Sequence, residues 1–256
     1  MARLLAIDIG NTHIKIGLYS QGQWLEEWRL ATDMRRTPDE YRLFVRGLLA
    51  ESHIDVVDRA IVASVVPLLT PFFLRVVESV SVSKPEEVVP PGYGLAVDYP
   101  PQHLGPDRFV NALAAWELTR RSVVVVDVGT TATVDAVVDG VFVGGAIAPG
   151  PHFLVQALAE GTARLPHVMP VIEPWTIGKN TEQAIRAGVG QGFVGMVQGL
   201  IENTRRDIGM DAPVMLTGGW SQRLLPYLGM DVRLEPRLTL EGLRCADAWL
   251  YAHEVH

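Results

Sequence analysis

The chain has 256 residues, 48% of them apolar and 20% charged, with a formal charge of −7; the length suits one large domain or two of about 100 to 150 residues, and the acidic balance argues against a broad nucleic-acid footprint, which needs a basic face. The single cysteine, Cys245, leaves no intrachain disulfide and no sign of an oxidising compartment. The opening MARLLAIDIG breaks at Asp8 without a small-residue cleavage site and no apolar run reaches about 18 residues, so neither signal peptide nor membrane span is expected and the cytoplasm is the predicted location.

In chain order, residues 3–9 (RLLAIDI) read as a buried strand, GNT as a turn and residues 13–20 (HIKIGLYS) as a second strand. After QGQ, the run WLEEWRLAT makes a third, completing a meander. Thr37-Pro38 opens a helix over 38–51, with the cap-then-proline order that helix starts favour. Residues 59–66 form another buried strand, 67–80 have helical spacing with prolines near the start, 90–107 are a proline-rich loop, and 108–121 are a helix. The pattern then restarts. SVVVVDVGTTATVDAVVDGVFVGG (122–145) repeats the layout of the first meander. Asp8 matches Asp127, Gly10 matches Gly129 and Thr12 matches Thr131 at one offset, 119 (127 minus 8), while Gly22 matches Gly140 at 118. Strand, D-x-G-x-T, strand, Gly turn, strand reads as an internal duplication. A helix at 151–161, a long helix at 182–208, a strand at 213–219, a short helix, the strand DVRLEP and a closing helix at 240–254 complete an α/β chain in two similar halves, 1–115 and 116–256.

A buried strand does not end on a carboxylate without reason. Two hairpins of this kind facing one another across a cleft would offer backbone N–H groups and short polar side chains at Gly10, Asn11 and Thr12 to phosphate oxygens. Asp8 would then hold a hydrated magnesium ion, and Lys15 would add charge. No G-x-x-x-x-G-K-[ST] is present, so a Walker-type NTPase is not supported. Taken alone, D-x-G-N-T is equally an ordinary turn capped by its Asp; the copy at Asp127 favours the nucleotide reading. His103, His152 and His167 have no metal-ligand spacing.

The duplicated hairpins resemble the phosphate-binding elements of the acetate-kinase, sugar-kinase, heat-shock-chaperone and actin superfamily. The whole chain is similar to type III pantothenate kinase, through DIGNT (8–12), SVVP (64–67), GPDRFVNA (105–112), DVGTTATVD (127–135), GGAIAPG (144–150), IGKNT (177–181) with AGVGQG (187–192), and TGG (217–219), in the family's order. The resemblance implies two duplicated ribonuclease-H-like, actin-like domains with a central cleft. It implies transfer of the ATP γ-phosphate to pantothenate, the first step toward coenzyme A, by a homodimer needing magnesium and potassium or ammonium. ATP contacts are implied along Asp8, Ile9, Gly10, Asn11, Thr12, His13, Ile14 and Lys15 and at Thr130; on its own, His13 reads as incidental. Asp107 is implied as the base that orients the attacking hydroxyl and takes its proton. Tyr99, Gly105, Pro106, Arg108 and Thr181 are implied at the substrate, Arg108 as a bidentate carboxylate donor. Asp127 is implied at the monovalent cation.

Each role has a plainer counterpart. Asp107 reads equally as a helix N-cap and Thr181 as the cap of the long helix. Tyr93 competes with Tyr99, and Asp127 has a turn-pairing alternative. Pro106 stands where the family usually has alanine and removes a backbone N–H; GTTAT replaces the commoner GTATT. Gly188, Gly190, Gly192, Gly195 and Gly199 cost roughly 1 kcal/mol each in a helix. They imply a dimer surface, close packing within one subunit, or a break in the helix. The competing functions are another small-molecule kinase of the superfamily and a non-catalytic regulatory factor on the same fold. The latter would be expected to lose an acid at position 8, 107 or 127, and this chain keeps all three.

Overall fold

The computed structural model describes residues 2–253, which fall into two units: 2–118 together with 237–253, and Thr119–Pro236. The first unit contains β1 (Leu4–Ile9), β2 (His13–Ser20), β3 (Gln23–Ala31), α1 (Pro38–Glu51), β4 (Arg59–Ser64), α2 (Thr70–Glu78), β5 (Glu86–Glu87), a two-residue strand β6 (Ala96–Val97), α3 (Pro106–Thr119) and α7 (Leu238–His253). The second contains β7 (Val123–Val128), β8 (Thr131–Val138), β9 (Val141–Pro149), α4 (Pro151–Glu160), α5 (Thr181–Asp207), β10 (Val214–Thr217), α6 (Ser221–Leu224) and β11 (Val232–Leu234). Among the described residues no helix is long and apolar enough to cross a membrane.

In the first unit the sheet order is β3-β2-β1-β4-β5, with β1 antiparallel to β2 and parallel to β4. β1 is buried along its whole length. Leu5, Ile7 and Ile9 join the core that takes in Tyr41 and Val45 of α1 and Phe73 and Val77 of α2. The opposite face is covered by α7, which packs on β1, β2 and β4. A strand covered on both sides needs an unbroken apolar run, and LLAI supplies it. α1 starts with a capping box: Thr37 accepts from Glu40 N–H while the Glu40 carboxylate accepts from Thr37 N–H at 2.7 Å.

The strands of the second unit run β11-β10-β7-β8-β9, the same topology. The likeness extends to register. Both β2–β3 and β8–β9 carry a register shift, after Leu18 and after Ala136, 118 residues apart. Both pairs close with two-residue turns in the left-handed region, Gln21-Gly22 (φ 54° and 82°) and Asp139-Gly140 (φ 48° and 80°), the type I′ geometry that fits strand twist. Irregularities repeated at one spacing make the duplication a property of the fold.

Two expectations change. Gly10 N–H bonds His13 O, but Gly129 N–H bonds Thr131 O, so the second turn is one residue shorter. The offset therefore drops from 119 to 118 inside that turn. Thr12 O accepts Thr32 N–H as Thr130 O accepts Gly150 N–H, so Thr12 matches Thr130 rather than Thr131. The division also differs from 1–115 and 116–256: residues 237–253 cluster with the first unit because α7 buries Leu240 and Leu243 over its sheet. Element ends move by two or three residues, notably α2, which starts at Thr70 rather than 67, and α3, which starts at Pro106 rather than 108.

Candidate active site

The first hairpin is built around Asp8, which is 6% exposed near the end of β1. Its register partner on β2 is Lys15. The Lys15 Nζ lies 3.5 Å from Asp8 Oδ2 and 3.4 Å from Thr239 Oγ1 on α7. Thr239 carries no motif, and only the return of the C-terminal helix brings it to Lys15. The turn is braced by Thr32, whose hydroxyl donates to Gly10 O at 2.7 Å. Asn11, Thr12 and His13 are exposed, whereas Ile9 and Ile14 are fully buried. Of the eight expected nucleotide-contacting residues 8–15, these two offer a ligand only their backbone. His13 is held below the usual imidazole range, first by partial burial and then by the positive charges of Arg29 and Lys15.

Asp107 lies in the first turn of α3. Phe109 N–H donates to Gly105 O, which makes Gly105 the residue that starts the helix. Asp107 is therefore not the N-cap. Its carboxylate turns back over Gly105, where an added Cβ would overlap it, and Oδ1 accepts from Arg108 N–H at 2.8 Å. Pro106 holds the first helical position, where a backbone N–H has no intrahelical partner and proline loses nothing. The N-terminus of α3 carries the helix's partial positive charge to this carboxylate. Arg108 is only 6% exposed, and its guanidinium lies over the Tyr99 ring, 5.7 Å from the centroid. Tyr99 and Arg108, both expected at the substrate, are thus held together in the first unit. Tyr93 is committed elsewhere. Its ring sits 5.9 Å from both Phe109 and Trp249, and its hydroxyl accepts from Val89 N–H.

In the second unit Asp127 takes the place of Asp8, and its register neighbours are Thr133 on β8 and Thr217 on β10. Thr130 lies in the shortened turn. Thr181 opens α5 without capping it: the cap is Asn180, whose side chain accepts from Gln183 N–H at 2.9 Å. That leaves the exposed Thr181 hydroxyl outside the capping interaction.

Among the described residues no three His, Cys, Asp or Glu side chains group as a metal cage. The donor sets nevertheless fit the expected ions. A single carboxylate, Asp8, suits magnesium that keeps most of its water and phosphate ligands. Asp127 with flanking hydroxyls offers the oxygen set of a weakly bound monovalent ion.

A family model described as type III pantothenate kinase matches residues 4–203. A type III pantothenate kinase of Moorella thermoacetica is 39% identical over 247 residues, covering 94% of this chain and 97% of the relative. Among solved structures, a Campylobacter jejuni protein named for the Baf family of transcriptional activators superposes with a TM-score of 0.62 at 19% identity, covering 98% of this chain and 100% of that one. A polyphosphate/ATP-glucomannokinase of Arthrobacter superposes with a TM-score of 0.51 at 16% identity, covering 99% and 100%. Identities that low speak for the fold alone, and they agree with two ribonuclease-H-like units of one topology. The sequence matches go further, running nearly end to end through the hairpins, the GPDR helix start and the start of α5: the chain belongs to the type III pantothenate kinase family.

Proposed function

We propose that this protein transfers the γ-phosphoryl group of ATP to the primary hydroxyl of pantothenate, giving phosphopantothenate and ADP. The observation that carries the reading is the pair of register-matched, acid-bearing hairpins in a chain whose relatives are type III pantothenate kinases.

Phosphoryl transfer asks a protein for position, charge neutralisation and help with one proton. The turn amides at Asn11 and Thr12 and the Lys15 ammonium receive phosphate oxygens; Asp8 would hold the magnesium that accompanies ATP. When bound, that ion and a potassium or ammonium ion at Asp127 offset charge on the phosphates. Thr130 contacts the nucleotide. Asp107 accepts the proton of the pantothenate hydroxyl as its oxygen bonds to the γ-phosphorus, and the bond from that phosphorus to the bridging oxygen breaks to release ADP. Arg108, stacked on Tyr99, receives the pantothenate carboxylate. Gly105 lets the substrate approach the backbone beside Asp107, and Pro106 stiffens that approach. Thr181 contacts pantothenate bound to the other subunit of a homodimer.

The dimer has a surface to use. Of the five glycines of α5, only Gly190 is buried by a close approach, where an added Cβ would overlap Val171 O. At Gly188, Gly192, Gly195 and Gly199 an added Cβ would meet nothing outside the helix's own backbone within 4 Å among the described residues. These glycines form a stripe opposite the buried face of Val189, Phe193 and Val197. Glycines that cost helix stability and leave open space where a Cβ would stand fit the close approach of a second backbone.

The test is to incubate the protein with ATP, magnesium, potassium and pantothenate and to look for phosphopantothenate by mass. In Asp107→Asn, turnover is expected to fall by about 10² or more while nucleotide binding measured by calorimetry stays near wild type. Near-normal turnover in that variant would remove the base assignment, and no product from the unaltered protein would remove the activity.

A further inference from the structure

The two faces of the second sheet are unlike. Val124, Val126, Val128, Val134, Val214 and Leu216 enter the core that also contains Phe193 and Val197 of α5. Strand alternation puts Asp127, Thr133, Asp135 and Thr217 on the opposite face. Register sets Thr217 and Thr133 directly beside Asp127, one on each side. In the first unit the matching positions are Ala63, Asp8 and Lys15. One carboxylate therefore has a tethered ammonium beside it, and its duplicate has two hydroxyls.

Thr217 is fully buried, and its Oγ1 has no hydrogen-bond partner among the described residues. Buried hydroxyls are nearly always satisfied, so one left over in a polar row points to a missing partner. The next residue, Gly218, has φ +95°, and an added Cβ there would overlap Asp127 Oδ1. The carboxylate thus lies against β10, on the side from which Thr217 comes.

From these observations we propose that Thr217 Oγ1 is an oxygen donor to the monovalent cation at Asp127. The proposal rests on the cation reading above and adds a ligand that the resemblance did not supply. A neutral hydroxyl replaces part of the hydration shell of an ion such as potassium without adding charge. A lysine, as at position 15, would put a fixed positive charge where this row has a neutral hydroxyl. The row Thr217–Asp127–Thr133 is then the first hairpin's ion pair with the built-in cation removed.

The test is the thermal unfolding midpoint titrated with potassium against tetramethylammonium at fixed ionic strength, with magnesium and a non-hydrolysable ATP analogue present throughout. The wild-type midpoint is expected to rise with potassium. In Thr217→Val the potassium concentration for half the rise should increase about fivefold, the loss of one neutral oxygen contact; Thr217→Ser should stay near wild type. Thr217→Cys should shift the ion preference from potassium toward thallium(I), because a soft sulfur replaces a hard oxygen. That shift is beyond a merely structural role and reads the site even if the valine variant does not fold. A potassium response in Thr217→Val equal to wild type, or an unchanged preference in Thr217→Cys, would overturn the assignment while leaving the Asp127 site standing. A wild type as insensitive to potassium as Asp127→Asn would remove the cation site and this ligand with it.

Discussion

Single side chains carry the difference between the duplicated hairpins. At one sheet position Asp8 meets Lys15 and Asp127 meets Thr133, so a charged register neighbour in one hairpin is a neutral hydroxyl in the other. His13, the first residue of β2, feels the same local charge. Burial and the cations Arg29 and Lys15 push its imidazole below 6.5. A group whose protonation is harder in the folded state binds protons better unfolded, so its contribution runs against the fold as pH drops through 6.5. The fold should therefore lose more stability between pH 7.5 and 5.5 than His13→Gln does, measured by urea midpoints at the two pH values. Equal losses would show that His13 does not sense the fold.

At the level of elements, α5 shows how one residue type serves two ends. Gly190 allows the chain at Val171 and Ile172 to lie against the helix, and Gln191 adds a side-chain bond to Glu173 O. Gly190→Ala gains about 1 kcal/mol of helix propensity but forces its methyl into a backbone oxygen. The net effect should be destabilising by about 1–2 kcal/mol, read as a lower urea midpoint; a stabilised variant would contradict the close approach. α3 illustrates a different economy. Gly105, Pro106 and Asp107 fill the helix start so that the proline costs no hydrogen bond and the carboxylate sits at the positive end of the helix. Pro106, which as a sequence feature removes a donor, removes one that the helix would not have used.

For the molecule as a whole, the open stripe of α5 decides the proposed assembly. An added Cβ at Gly195 meets nothing outside the helix's own backbone within 4 Å, so Gly195→Arg starts a long cation from open space on that stripe. It should turn a dimer into a monomer in light scattering while circular dichroism stays unchanged. A dimer that survives the change would move the contact to another face. The two-unit plan has its own asymmetry, since the last helix belongs to the first unit. α7 completes the first sheet's second face and supplies Thr239 to Lys15.

Local chemistry alone determined much of this. The apolar runs and glycine turns of residues 4–31 and 123–149 dictate two like meanders, because strand period, buried length and turn conformation are properties of neighbouring residues. The acids at 8, 107 and 127 stand out for the same reason: each interrupts or opens an apolar element. What lies across strands or returns from a distance was decided only in three dimensions. The one-residue loss inside the second turn, the register of Thr217 beside Asp127, and the crossing of residues 237–253 back to the first unit all depend on register and long-range packing. No local pattern encodes these, because a threonine in an apolar strand looks the same whether its strand neighbour is a valine or a carboxylate.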